Sequence, residues 1–231
     1  MAFVDKRQSL KVCQQVRVNI DNEYKNYFIE EEDVSRLMTN NDKENLIGES
    51  HQFIKLKELE TRVHSHGFVE SVVVSKDLKG NIDVKVTQYQ PIARISLPNG
   101  NDKYVSSGGK ILPVSDRYTA RVLVIGGPYN NKLVQKDWSK DSLRAPYFEF
   151  VNKVLADEFL KVMVSSAFIN RNGEINIYPQ VGKQTIEYGL PIDQDVKFAM
   201  LQAFYKKIVP VKGWNKYSRV CLKYQNQIIC E

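Results

Sequence analysis

Three histidines and three cysteines are the residues best suited to chemistry in this chain, and their spacing assembles none of them into a working group. His64 and His66 stand two apart near the end of an expected helix, where side chains do not face each other. Their better role is as positive charge at a helix C-terminus. His51 stands alone in a polar loop. Cys13, Cys221 and Cys230 form no CxxC pair and no zinc-ligand spacing. Glu30, Glu31, Glu32 and Asp33 could supply paired carboxylates, but they crowd a helix start, where the helix dipole alone accounts for them. The Ser107-Gly108-Gly109-Lys110 and Gly126-Gly127 segments open no helix that could cradle a phosphate. No nucleophile elbow, phosphate loop or dinucleotide fingerprint occurs. The expectation is a protein that is not an enzyme, with no metal and no cofactor.

Charge is the next candidate. Residues 1–90 carry 13 Lys/Arg against 15 Asp/Glu, a net of −2, and residues 91–231 carry 20 against 12, a net of +8. Between Asp195 and Glu231 there is no acid, while Lys197, Lys206, Lys207, Lys212, Lys216, Arg219 and Lys223 all fall there. Such a block suits an acidic partner, an anionic surface or simple solvation. Aromatics interleave with it (Phe204, Tyr205, Trp214, Tyr217, Tyr224), but several sit on apolar stripes and no nucleic-acid recognition motif accompanies them. No nucleic acid is expected as partner. No stretch approaches the roughly 18 apolar residues of a membrane-spanning helix; Phe159 to Ile169 is broken by Lys161 and two serines. No signal-peptide pattern is read in Met1 to Leu10, which is polar and carries Asp5, Lys6 and Arg7.

The elements that must carry any function fall into two groups. Val12 to Ile20 alternates as a half-buried strand. A helix then bears Val34, Leu37 and Met38. A second spans Lys55 to Ser65 with Leu56, Leu59 and Val63 on one side, and Gly67 ends it. Strands at Val69–Ser75 and Ile82–Gln88 flank a turn at Lys79-Gly80-Asn81. This β-α-α-β-β order makes a small sheet covered by two helices. From Pro91 a β-rich part follows. A hairpin turns at Asn99-Gly100, and a strand is expected at Val122–Ile125. A helix runs from Ala145 to Glu158, then strands at Lys161–Ile169, Glu174–Tyr178 and Gln184–Tyr188. Asp193 caps a helix bearing Val196, Met200, Ala203, Phe204 and Ile208. Arg219–Tyr224 and Gln227–Cys230 close the chain. The fold class is α+β, its second part a mainly antiparallel sheet with two helices on one face.

The order of short motifs resembles the FtsQ/DivIB family of bacterial cell-division proteins, in the style of its Bacteroidetes members. The likeness rests on Gly67-Phe68-Val69-Glu70-Ser71-Val72 and on Ile82–Gln88 running into Pro91-Ile92-Ala93-Arg94. Tyr104-Val105, Gly109-Lys110, Leu112-Pro113, Arg117–Val122 and Gly126-Gly127 follow. Leu222-Lys223-Tyr224 and Gln227-Ile228-Ile229 stand at the end. Two departures accompany it: Gln88-Tyr89 stands where many relatives have Glu-Arg, and Cys221 and Lys223 replace the common Asp and Arg of the last hairpin.

The resemblance implies residues 1–11 as a juxtamembrane remnant, 12–90 as a POTRA domain and 91–231 as the family's β domain. It implies a single-pass anchor upstream in the inner membrane, with this portion in the periplasm. The implied partners are the coiled-coil division proteins FtsB and FtsL and, through them, the septal peptidoglycan synthase. Binding is expected by strand addition at the last hairpin. Leu222, Lys223, Tyr224, Gln227, Ile228 and Ile229 would make the contact, Tyr224 in a partner-facing position. A POTRA-bearing transport or outer-membrane assembly component is the alternative. If the hairpin turns about Gln225-Asn226, Cys221 and Cys230 face each other at about 4.5 Å between Cα atoms. They would then be either a disulfide in an oxidising compartment or two reduced thiols.

Overall fold

Alternation between apolar and polar residues sets the first sheet. In β3 (Ile82–Gln88) the side chains of Ile82, Val84 and Val86 are buried while Lys85 is exposed, the pattern of a strand with one face on a core. The computed structural model describes residues 12–22 and 26–231; the expected remnant at 1–11 lies outside them. β3 is central in the order β1-β3-β2, pairing parallel with β1 (Val16–Asp21) and antiparallel with β2 (Val69–Lys76). Between β1 and β2 the chain forms α1 (Glu31–Met38) and α2 (Leu56–His64). Val34, Met38, Leu59 and Val63 join the strands' valines in one buried cluster. The acids opening α1 are structural: the Glu30 N–H donates to Asp33 Oδ2 at 3.0 Å, an end-group bond that helix starts need.

The chain divides into two units. The first runs to Gln90 and also takes in Ser115–Ala120; the second holds Pro91–Val114 and Arg121–Glu231. Within the first unit, Arg117 pairs with Asp33 and Glu30, and Tyr118 stands edge-on to Phe28, ring centroids 4.9 Å apart. His51 lies in a turn and is buried there, its Nε2 3.1 Å from the Gly80 carbonyl. Burial pushes the His66 imidazole below its ordinary value of 6.5. His66 lies two residues beyond the end of α2 at His64.

The second unit is built on a nine-stranded sheet, in order β12-β11-β10-β9-β8-β7-β4-β5-β6. Its strands are β4 (Pro91–Ile95), β5 (Lys103–Ser106), β6 (Ile111–Leu112), β7 (Leu123–Gly126), β8 (Val164–Ile169), β9 (Ile175–Pro179), β10 (Thr185–Gly189), β11 (Arg219–Cys221) and β12 (Ile229–Cys230). Three neighbour pairs are parallel, β4 with β7, β7 with β8 and β10 with β11, and the rest antiparallel. The helices are α3 (Asn130–Leu133), α4 (Ala145–Ala156), α5 (Glu158–Met163) and α6 (Gln194–Ala203). A π-helical segment, Phe204–Ile208, follows α6 and leads into α7 (Val209–Lys212). Tyr147, Phe150, Val151 and Val154 of α4 and Phe198 and Leu201 of α6 share one core with Ile95, Ile125, Ala167 and Ile177 of the strands. Trp138 is fully buried there and donates from Nε1 to the Leu133 carbonyl at 3.0 Å.

Three expectations are corrected. The segment expected to open a strand at Lys161 is instead α5, capped by Asp157, whose Oδ1 accepts the N–H groups of Phe159 and Leu160 at 2.9 Å each. Asp193 has a left-handed backbone (φ 50°) and makes no side-chain cap. The buried side of α6 carries Gln194, Lys197, Phe198 and Leu201, with Val196 outside at 42% exposure.

Candidate functional site

The last hairpin is the place where sequence and topology meet. β11 lies against β10 in parallel, pairing Ile186 with Val220 and Glu187 with Cys221, and β12 folds back on β11 at the end of the sheet. The register pairs Val220 with Cys230 and Cys221 with Ile229. It is one residue away from the expected pairing of Cys221 with Cys230. Side chains alternate, so a one-residue slip sends the two sulfurs to opposite faces of the ribbon. Cys221 and Cys230 stand as free thiols. The turn itself is centred on Gln225-Asn226 as expected, since the Gln227 N–H reaches the Tyr224 carbonyl at 3.4 Å and Asn226 takes φ +56°; the one-residue offset arises between that turn and the paired residues of β11 and β12.

The same alternation sorts the six expected contact residues. Val220 and Leu222 point into the core, both 0% exposed, and the Leu222 N–H is spent on the Glu187 carbonyl at 2.9 Å. Leu222 is therefore a packing residue, which corrects its assignment to a contact surface. Tyr224 is 56% exposed. Lys223 and Gln227 are exposed, Ile229 is on the outer side, and Ile228 packs partly against the core. The backbone at the edge follows from the ladder. Glu231 and Arg219 exchange both bonds, N–H to carbonyl at 2.9 and 3.0 Å. In an antiparallel pair such positions alternate with ones whose groups point away. The N–H and carbonyl of Ile228 and of Cys230 thus face outward, with no strand of the described residues beyond them.

Sequence reasoning missed what holds this hairpin. Arg219 makes a two-pronged contact with Glu187, Nε to Oε1 at 2.7 Å and Nη2 to Oε2 at 3.0 Å, and its Nη1 reaches Glu231 Oε2 at 2.8 Å. Lys223 Nζ lies 3.2 Å from Glu174 and 3.8 Å from Glu187. Charges of alternating sign therefore stitch β9, β10, β11 and β12 together. The signal available in sequence was weak, because Glu187 and Glu174 lie some 30 to 50 residues before their partners.

This network predicts acid sensitivity. The hydrogen bonds from Arg219 hold the Glu187 carboxyl below its ordinary 4.5, against the opposing pull of burial. A carboxyl depressed in the folded state stabilises above its unfolded value, and that stabilisation is lost as pH falls through the lower folded value. The amides of Arg219 and Glu231 should therefore exchange faster below about pH 4.5. Glu187→Gln should exchange fast already at pH 7 and flatten the pH profile. A profile unchanged by the substitution would remove Glu187 from this role.

The basic block is less uniform than it reads. Lys197 is buried, its Nζ 2.7 Å from the Leu190 carbonyl and 5.1 Å from the centre of the Tyr188 ring, and burial pushes its amine below the usual lysine range. Arg219 and Lys223 are paired as described. Lys206, Lys207, Lys212 and Lys216 remain exposed, with Val211 and Trp214 exposed among them. Among the described residues no three of His, Cys, Asp and Glu come together in a group able to hold a metal ion. None of their helices is long and apolar enough to cross a membrane.

Two family models match the chain. Residues 90–231 match FtsQ/DivIB, C-terminal related, and residues 11–87 match a POTRA-like domain. No curated protein matches it.

Proposed function

The chain belongs to the FtsQ/DivIB, C-terminal related family, and on that premise we propose that it links cell-wall synthesis components at the division septum by adding a partner's strand to β12. The family is one of membrane-anchored, non-catalytic division scaffolds. The partners in this reading are FtsB- and FtsL-type coiled-coil proteins, and through them the septal peptidoglycan synthase, with this portion of the protein in the periplasm.

One observation carries the reading: β12 ends the sheet, its outward N–H and carbonyl groups unclaimed by any strand of the described residues, beside the exposed ring of Tyr224. Main-chain bonds along such an edge supply affinity, and alternate side chains supply specificity. A strand laid there would turn every second side chain toward Ile228, Cys230 and Tyr217, partly buried residues at the margin of the core. Apolar residues suit those positions. The exposed lysines upstream of β11 would speed the approach of an acidic partner more than they tighten the complex.

Calorimetric titration with the organism's FtsB-like protein, combined with amide exchange, tests this. Binding should slow exchange at Ile228 and Cys230 by about tenfold or more. A complex that forms with those two amides unchanged would place the interface elsewhere and overturn the reading.

A further inference from the structure

Four strands end the two sheets: β1 and β2 in the first unit, β6 and β12 in the second. An end strand offers a row of unpaired backbone groups, which proteins usually cover. Two of the four are covered by the chain's own carboxylates. Glu60 Oε1 accepts the outward N–H of Val74 on β2 at 2.9 Å. Asp137 Oδ1 accepts the outward N–H of Ile111 on β6 at 3.0 Å. β12 is the edge assigned above. β1 is the fourth.

The direction of β1's backbone follows from its ladder. Gln15 accepts from the Ile82 N–H at 2.9 Å, and Val16, Val18 and Ile20 pair in register with Ile82, Val84 and Val86. In this parallel arrangement Gln15, Arg17 and Asn19 bond toward β3, and the N–H and carbonyl groups of Val18 and Ile20 point away from it. No partner for these groups occurs among the described residues. Beside them lies a groove of about 630 Å³. Val18, Ile20 and Ile29 give it an apolar floor, Tyr27 stands over it at 52% exposure, and Glu30 to Glu32 form a wall. Arg117 reaches Glu30 and Asp33, and Arg36 reaches Glu32 and Asp33. Three carboxylates thus meet two guanidinium groups, and the fourth, Glu31, makes no ion pair among the described residues.

We propose that this edge and groove form a second strand-addition site, one that takes an extended peptide bearing lysine or arginine. Main-chain bonds to Val18 and Ile20 would hold it. Its alternate side chains would fall on the apolar floor, and a cation would complete the charge of the Glu30–Glu32 wall. The site is independent of β12, and a different partner segment would use it.

The probe is a synthetic heptapeptide alternating valine with lysine, compared with one alternating valine with glutamate. Residue-resolved amide exchange on the whole chain reads the result. The lysine peptide should slow exchange at Val18 and Ile20 by about tenfold, and the glutamate peptide should not. Val18→Pro removes one outward N–H while leaving the bonds to β3 intact, so it should abolish the protection at Ile20. Glu31→Lys, on the exposed wall, should weaken binding by about tenfold without touching the backbone, and it serves where the proline variant does not fold. Three results would each overturn the proposal: protection of Ile228 and Cys230 alone, equal protection by both peptides, or no change at Val18 and Ile20.

Discussion

Gly127→Ala is expected to destabilise the second unit by about 3 kcal/mol or more and to lower its melting temperature by about 10 °C. Gly127 follows β7 with φ +117°, and a Cβ built there would lie 2.1 Å from the carbonyl oxygen of Ile169. That oxygen cannot retreat. Ile169 is 1% exposed in the core and pairs with Ile175 at the end of β8. The alanine carries about 1 kcal/mol of left-handed strain and adds an overpacking cost of similar or larger size. Gly213→Ala is the control, since Gly213 has φ +91° but nothing within 4 Å of its added Cβ. It should lose only the strain. Both tryptophans, Trp138 and Trp214, lie in the second unit, so their fluorescence during urea unfolding follows that unit alone. Equal losses in the two variants would show that the backbone conformation, and not the contact with Ile169, decides the effect.

What the sequence allowed depended on how local each signal was. The β-α-α-β-β order was legible because Ile82, Val84 and Val86 alternate cleanly and Lys79-Gly80 marks the turn between β2 and β3. Phe159 to Val164 was not, because a nearly continuous apolar run fits a strand or a buried helix equally well. Asp157, two residues ahead of Phe159, was the cap that could have decided it. On α6 the periodic reading placed Val196 inside, where it is exposed, and missed Phe198 and Leu201, while Met200, Phe204 and Ile208 do pack in or against the core. Lys197 looks like a solvent residue, yet its stem is buried and its amine satisfied by the Leu190 carbonyl, and the π-helical turn at Phe204 shifts the phase of everything after it. The hairpin's existence was readable from Arg219–Tyr224 and Gln227–Cys230, but its register was not. The turn sits at Gln225-Asn226 as expected, but the strands beyond it pair one residue away from the register such a turn would impose, which exchanged the faces of Cys221 and Cys230. The candidate edges were beyond sequence altogether. Whether a strand ends a sheet depends on topology, and the carboxylates that close β2 and β6 come from residues 14 and 26 positions away.

Cys230→Pro and Tyr224→Ala separate the two contributions that a strand-addition interface would combine. The Cys230 N–H points away from β11, so a proline there deletes an outward donor while the Arg219–Glu231 exchange stays in place. The pyrrolidine also crowds an incoming chain. With both effects acting on the backbone bonds that would supply affinity, the partner titration should lose about a hundredfold in Kd. Cys230→Ser keeps the donor and should bind nearly as the native protein does, which isolates the N–H from the thiol. Tyr224 acts through its side chain. Exposed aromatics at the centre of an interface are commonly its strongest anchors, so truncation to alanine should cost about 2 kcal/mol of binding, near thirtyfold. Its 56% exposure in the free protein means that folding stability should change little. A Tyr224→Ala variant that binds normally but melts lower would mean the ring packs on its own sheet. A Cys230→Pro variant that binds normally would mean the partner never reaches the backbone of β12.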